Sequence, residues 1–174
     1  NNTLTYYYGS NGELSYVTDS KTGTRTQYEY DLADRITSVK EFSGTQPYLF
    51  DLNSSLSYTY VDGKNQIDTI TAKTELGENK LDIFYGSIQN GGIPDVVSME
   101  WRNGLLSKAY FYDSLGRISK TRTKTGGSLL DVSYTYKTVS GNRTSTQVSS
   151  LATPAGTFSY AYDNRGNISS VSDG

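Results

Sequence analysis

The sequence predicts an all-β fold: tandem antiparallel β-hairpin repeats forming an extended, twisted meander sheet. Three observations predict it. A Tyr-x-Tyr pair recurs along the chain at a nearly regular spacing, a turn signal follows the pairs, and the composition favours strands.

The composition comes first because it bounds the rest. The chain has 174 residues, the size of one domain or one slab of a repeat array. Leu, Ile, Val and Phe supply only about a fifth of the residues, a low supply for an ordinary core. Sixteen tyrosines change that balance. A tyrosine ring covers a large area and keeps its hydroxyl free for water or a partner. Ser and Thr make up about a quarter of the chain. Thr and Tyr suit a pleated, half-buried surface. A net charge of −2 gives no footprint for nucleic acid or for an anionic membrane. Cysteine and histidine are both absent, which excludes disulfides, thiolate zinc sites and the commonest general base. No apolar run is long enough to span a bilayer, and no signal peptide is visible.

The repeat is read by aligning the tyrosine pairs. The cleanest copy is Tyr110-Phe111-Tyr112-Asp113-Ser114-Leu115-Gly116-Arg117-Ile118. Tyr28-Glu29-Tyr30-Asp31-Leu32-Ala33-Asp34-Arg35-Ile36 and Tyr160-Ala161-Tyr162-Asp163-Asn164-Arg165-Gly166-Asn167-Ile168 share its pattern. Tyr6-Tyr7-Tyr8-Gly9 opens a copy that keeps Gly12 and Leu14, and Tyr58-Thr59-Tyr60-Val61-Asp62-Gly63 opens one with an extra residue. Tyr134-Thr135-Tyr136 begins a weaker copy through Gly141-Asn142-Arg143, and Ile83-Phe84-Tyr85-Gly86 is a degenerate seventh. The second tyrosines fall at 8, 30, 60, 85, 112, 136 and 162. That spacing fits two strands and two turns, with no room for a helix as well.

Each part of the motif has a physical task. Residues i and i+2 of a strand share a face, so Tyr-x-Tyr sets two rings side by side. Asp then starts a turn by accepting backbone N–H groups two residues on. Gly three residues later supplies a positive φ, closing a type I turn with a G1 bulge. Asp34 stands at that position in the second copy, and Asp tolerates the left-handed region better than most residues. A second class of turn links the repeats: Asn103-Gly104 is a strong two-residue hairpin signal, with Thr22-Gly23 and Gly126-Gly127 at equivalent places. Asn90-Gly91-Gly92 before Pro94 marks a longer loop, and Phe42–Ser57 reads as an insertion.

One feature conflicts with strict alternation. Apolar residues recur three apart at Leu14/Val17, Ile36/Val39, Ile67/Ile70 and Ile168/Val171. Either a bulge intervenes, which is the favoured reading, or both faces carry partial apolar cover.

These residues resemble the Rhs, or YD-repeat, family, whose loose consensus is Gly, a few residues, then Arg-Tyr-x-Tyr-Asp-x-x-Gly-Arg-Leu/Ile. Gly23-Thr24-Arg25-Thr26-Gln27-Tyr28-Glu29-Tyr30-Asp31 and Tyr112–Ile118 carry the match. The family occurs in bacterial wall-associated and polymorphic toxins, in shell subunits of insecticidal toxin complexes and in teneurins. The resemblance implies one long sheet strip that spirals into a hollow shell and can enclose a toxic C-terminal segment. The family's core region, with its self-cleaving aspartates, has no counterpart here. Residues 1–174 are thus expected to be a single array of about seven repeats, with the insertion near 42–57. The ends at Asn1 and Asp173-Gly174 suggest a piece of a longer chain. The expected setting is a secreted or cell-surface bacterial protein, with adjacent repeats as partners.

No catalytic, cofactor-binding or metal-binding residue is expected. The aspartates Asp31, Asp62, Asp113 and Asp163 recur with the repeat, which places them in a row of turns, whereas paired carboxylate catalysis needs them close together. Asp163–Asn167 lacks the spacing of a calcium loop, and Arg165 would repel the cation. Without histidine there is no ordinary serine triad. Lys120, Arg122 and Lys124 alternate and share a face, which serves as a solvated surface, an edge guard or a polyanion grip. Sequons at Asn53, Asn142 and Asn167 carry little weight. The structural repeat residues are Tyr28, Tyr30, Asp31, Tyr58, Tyr60, Tyr110, Tyr112, Asp113, Gly116, Tyr160, Tyr162, Asp163 and Gly166. With Tyr6, Tyr8, Tyr134 and Tyr136, the tyrosines are expected to stack as ladders up the sheet. The alternative function is an adhesin-like module binding glycans through exposed aromatics, with Trp101 as the residue to test.

Overall fold

The computed structural model describes residues 2–45, 49–87, 93–139 and 143–174, which contain strands and no helix. The strands are β1 (Leu4–Tyr8), β2 (Leu14–Asp19), β3 (Thr24–Tyr30), β4 (Ile36–Thr45), β5 (Leu49–Tyr60), β6 (Ile67–Thr74) and β7 (Gly77–Tyr85). They continue as β8 (Val97–Arg102), β9 (Leu105–Tyr112), β10 (Ile118–Thr125), β11 (Ser128–Val139), β12 (Arg143–Thr153), β13 (Gly156–Tyr162) and β14 (Ile168–Asp173). They form one open antiparallel sheet in chain order. The all-β meander expected from the sequence is therefore the fold.

The chain divides into two compact units, Asn1–Asp82 with Arg102–Gly104, and Ile83–Trp101 with Leu105–Gly174. Each has the same plan. Residues directly opposite on antiparallel strands share a face. In the first unit Tyr28 faces Val39, Val39 faces Leu56, and Leu56 faces Ala72, an apolar row across four strands. The opposite face runs Gln27, Lys40, Ser55, Lys73, Glu78. In the second unit Tyr134, Leu151 and Phe158 make an apolar row, while Phe111, Lys120, Ser133 and Ala152 lie on the other face. Burial is shallow, as a single layer requires. Among the described residues Ala109 is the one buried hydrophobic residue, joined by Ser38, Thr69 and Thr121. Cross-strand pairs, each worth ~0.2–1 kcal/mol, therefore carry the stability together with the backbone ladder.

A bulge resolves the three-residue spacing. Tyr30 faces Ile36 while Glu29 faces Ser38, so Thr37 is the extra residue. Ser15, Asp68, Ser119, Ser149 and Ser169 are extra at the same place in five other hairpins. Each bulge turns residue n+3 back to the tyrosine face. Ile36 and Val39 thereby meet Tyr30 and Tyr28, Ile67 and Ile70 meet Tyr60 and Tyr58, and Ile168 and Val171 meet Tyr162 and Tyr160.

The linking turns agree in part. Asn103 (φ 49°) and Gly104 (φ 75°) are both left-handed, as a type I′ turn requires. Two further two-residue turns, at Glu75-Leu76 and Pro154-Ala155, each lead into a glycine that opens the next strand, Gly77 and Gly156. The insertion at 42–57 is not a separate excursion: it lengthens β4 and β5, with Phe42 opposite Leu52 and Thr45 opposite Leu49. Residues 46–48 of it lie outside the described residues, as do Asn90-Gly91-Gly92 and Gly141-Asn142.

Candidate functional site

The turn between β9 and β10 shows what the repeated residues do. Asp113 N donates to the Arg117 carbonyl (2.8 Å), and Gly116 N donates to the Asp113 carbonyl (3.0 Å). Gly116 has φ 79°, where a side chain would be strained. Asp113 Oδ1 accepts the N–H groups of Leu115 (2.9 Å) and Arg117 (3.0 Å). Its Oδ2 accepts Arg117 Nε (2.7 Å), and Arg117 Nη2 lies 2.6 Å away. These bonds hold the Asp113 carboxyl below its ordinary value, the Arg117 hydrogen bond first among them.

Arg117 then reaches out of its own hairpin. Its guanidinium lies 4.0 Å from the centroid of the Tyr136 ring, and Nη1 donates to the Ser145 carbonyl at 2.6 Å. One arginine thus joins its own turn to both strands of the following hairpin. The arrangement recurs in the first unit. Asp31 accepts Ala33 N (2.8 Å), Arg35 N (3.0 Å) and Arg35 Nε (2.7 Å). Arg35 lies over Tyr60 at 4.2 Å and donates to the Lys64 carbonyl. Asp34 takes the glycine position with φ 57°.

The other turns depart from this pattern. Asp163 accepts Arg165 N and Asn167 N, both at 2.9 Å, and Asn167 Nδ2 at 3.1 Å. Gly166 has φ 86°, so the turn is intact, but Asn167 stands where arginine would reach outward. In the β5–β6 turn the organising position is Val61, whose N–H donates to the Gln66 carbonyl at 2.8 Å. Asp62 falls one residue later, which removes it from the aspartate series expected from the sequence.

The tyrosines act in two ways. The second tyrosine of five pairs donates its hydroxyl to a carbonyl on the preceding strand: Tyr30 to Leu14 (3.0 Å), Tyr60 to Ile36 (2.7 Å), Tyr112 to Val97 (2.7 Å), Tyr136 to Ile118 (2.8 Å) and Tyr162 to Val148 (2.8 Å). Leu14, Ile36, Ile118 and Val148 each open a bulge, where the ladder is locally broken and a carbonyl gains most from a new donor. The first tyrosines face Val39, Ile70, Thr121, Leu151 and Val171. Tyr110 also donates to Glu100 at 2.6 Å, and burial together with that carboxylate pushes its pKa up to about 12.

Stacked tyrosine ladders are not what forms. Among the described residues the ring pairs in contact are Tyr7–Tyr16, stacked at 4.2 Å, and Phe84–Trp101, edge-on at 5.8 Å. The reason is spacing. Successive Tyr-x-Tyr strands are two ladder steps apart, roughly 9–10 Å, too far for ring stacking. The intervening strand fills the gap with the aliphatic residues of the bulge.

The remaining sequence candidates find ordinary partners. Trp101 is 36% exposed and packs its ring against Phe84. Lys120, Arg122 and Lys124 do share a face, but β10 is paired on both sides, so they guard no edge. Arg122 forms a two-bond ion pair with Asp131 (2.7 and 2.8 Å), and Lys120 lies over the Phe111 ring at 4.2 Å. A groove of about 450 Å³ in the second unit is lined by Phe84, Met99, Ala109 and Tyr110 among others. Among the described residues no three His, Cys, Asp or Glu side chains are placed to hold a metal ion. No helix of the described residues is long and apolar enough to cross a membrane.

Residues 7–46 match the family model described as RHS Repeat. No curated protein matches the chain. Among solved structures, TcdB2-TccC3-TEV is 11% identical with a TM-score of 0.32, covering 98% of this chain and 11% of that one. TcdB2-TccC3 is 13% identical with a TM-score of 0.31, covering 98% and 12%. A porin-like protein from Bacteroides uniformis is 13% identical with a TM-score of 0.28, covering 97% and 86%. The chain spans about a tenth of the length of the two TcdB2-TccC3 chains.

Proposed function

We propose that the chain, whose residues 7–46 match the RHS Repeat model, belongs to the Rhs/YD-repeat family and is a non-catalytic wall segment of a larger repeat shell. In this reading residues 1–174 are one array of hairpins within a longer secreted or surface-displayed bacterial protein, and the shell encloses or presents a C-terminal toxin or effector. One observation carries the structural part. The polar groups of the motif are spent on joining hairpins: the Arg35 and Arg117 guanidinium groups and five tyrosine hydroxyls bind groups on neighbouring strands or hairpins. Groups satisfied in this way are poor candidates for acid–base or ligand chemistry, and good ones for cohesion.

The test contrasts cohesion with ligand binding. Replacing Tyr110 and Tyr112 together by Ala should cost about 4 kcal/mol and lower the melting temperature by ~10 °C. Trp101→Ala should leave any glycan-array profile of the chain unchanged. Unaltered melting in the double variant, or array binding that vanishes with Trp101, would favour an adhesin instead. The enclosed segment is tested in the full-length parent protein, where protease should spare the C-terminal region until the shell is unfolded.

A further inference from the structure

The junction between the first two hairpins keeps the plan of its neighbours but reverses one charge. Between the β3–β4 and β5–β6 turns, three groups meet. Arg35 is the fifth residue of its turn, its guanidinium lies 4.2 Å from the Tyr60 ring centroid, and it donates to the Lys64 carbonyl. Lys64 is the fourth residue of its own turn, because its N–H returns to the carbonyl of the first, Val61. One hairpin earlier the same three positions hold Glu13, Tyr30 and Asp34. The Gly9 N–H donates to the Glu13 carbonyl (2.8 Å) and the Asp34 N–H to the Asp31 carbonyl (3.1 Å), which fixes them as fifth and fourth residues. Tyr30 is anchored through its hydroxyl on Leu14 as Tyr60 is on Ile36.

Glu13 turns back into its own turn. Its Oε2 accepts the Asn11 N–H (3.1 Å), the bond that Asp31 accepts from Ala33. A Cβ on Gly9 would collide with Glu13 Oε1, so the carboxylate has moved from the first position of this turn to the fifth. Beside Tyr30 lies a cleft of about 600 Å³, lined by Glu13, Tyr30 and Asp34 together with Glu29 and Asp31. Its walls carry four carboxylates and no cationic side chain. Asp31 is paired with Arg35 and Glu29 with Lys40, while Glu13 and Asp34 have no ion-pair partner among the described residues. Carboxylates alone attract any cation. The ring and the carbonyl select a planar one, and at Tyr60 and Tyr136 the corresponding place holds a guanidinium.

We infer that this cleft binds a guanidinium group, the side chain of an arginine on a polypeptide outside the two hairpins. The group stacks on the Tyr30 ring, pairs with the Glu13 carboxylate and donates to the Asp34 carbonyl, as Arg35 does at Tyr60 within the chain. Both strands at the junction, β2 and β3, are paired on each side, so the cleft lies inside the sheet. A free amino acid would bring its own carboxylate against Glu13 and Asp34, whereas an arginine within a polypeptide does not.

Titration of the 174-residue chain with N-acetylarginine methylamide, followed by NMR at Glu13, Tyr30 and Asp34, tests it. Saturable shifts with a dissociation constant of roughly 1 mM are expected, weakening as salt is added. N-acetyllysine methylamide should bind about threefold more weakly, because an ammonium cannot stack and pair at once. Glu13→Gln, which keeps an acceptor for the Asn11 N–H, should weaken binding about fivefold. Gly9→Asp combined with Glu13→Arg restores the aspartate and arginine of the other turns. It should abolish binding by filling the cleft from within, and raise the melting temperature by about 3 °C. Binding that survives in this double variant, or that is indifferent to Glu13→Gln, overturns the inference. So does an absence of shifts up to about 20 mM probe. Tighter binding of free arginine than of the capped form overturns the assignment to a polypeptide. None of these results bears on the melting test of the architectural reading.

Discussion

The turns at Asp113–Arg117 and Asp163–Asn167 share a backbone and differ in what they connect. Both close with an Asp N–H donating to the fifth residue's carbonyl, at 2.8 and 2.9 Å, and both place glycine in the left-handed region. Both aspartates collect backbone N–H groups at nearly equal distances. They differ in their two central residues, Ser114-Leu115 against Asn164-Arg165, and in the fifth, and it is the fifth whose side chain bonds differently. Arg117 reaches Tyr136 and Ser145 in the next hairpin, while the Asn167 side chain bonds back to Asp163. Turn formation is therefore a local property of Asp-x-x-Gly, and cohesion between hairpins is a property of the residue after it. The Asp31 turn makes the separation sharper. It lacks the glycine yet keeps the arginine, and Arg35 still reaches Tyr60 and Lys64.

The contrast is broken most directly at the fifth position. Arg117→Ala removes the stack on Tyr136 and the bond to the Ser145 carbonyl, and should cost about 2 kcal/mol, or ~5 °C in melting temperature. Asn167→Ala should cost only about 0.3 kcal/mol, because its bond stays within an exposed turn. Equal losses measured by thermal melting would mean that the arginine does no more than close its own turn. Arg117→Lys should recover little, since an ammonium cannot stack, pair with Asp113 and reach Ser145 at once. The fourth position sharpens the same point at lower cost. Asp34→Gly should stabilise by about 0.5 kcal/mol, relief of the left-handed strain outweighing the added freedom of the unfolded chain. A loss of stability there would show that Asp34 does more than occupy a difficult turn.

The sequence was most informative where the physics is local. Tyr-x-Tyr, Asp and Gly act within nine residues, so the hairpins and the turn bonds of Asp31, Asp113 and Asp163 could be read from the motif. The three-residue apolar spacing pointed to a bulge because no unbroken strand could satisfy it. What could not be read depends on distance in the chain. Ser145 lies 28 residues from Arg117, and Lys64 lies 29 from Arg35. In the alignment the arginine was one more consensus letter. The tyrosine ladder failed for a related reason. The motif shows that rings recur, but only strand order shows that another strand always stands between them. Asp62 was misplaced because an inserted residue shifts the turn by one, and Val61 leaves no polar signal at the position that matters.

The smallest expected effect is also the one that tests whether the two turns are locally alike. Asp113 and Asp163 are both held below the ordinary carboxylate value of 3.8, the first mainly by Arg117 and the second mainly by Asn167. A carboxylate whose pKa is lower folded than unfolded favours the folded state above the unfolded value. That contribution disappears as the pH falls through the folded value. Melting temperature should therefore fall with acidification below about pH 4. Asp113→Asn and Asp163→Asn should each flatten that acid limb to a small and similar extent, because each removes one such carboxylate. At neutral pH the two should differ, as Asp113→Asn alone also frees Arg117 from the geometry that aims it at Tyr136. An acid limb flattened only by Asp113→Asn would tie the proton linkage to the arginine, and the turn and the junction would then be one device instead of two.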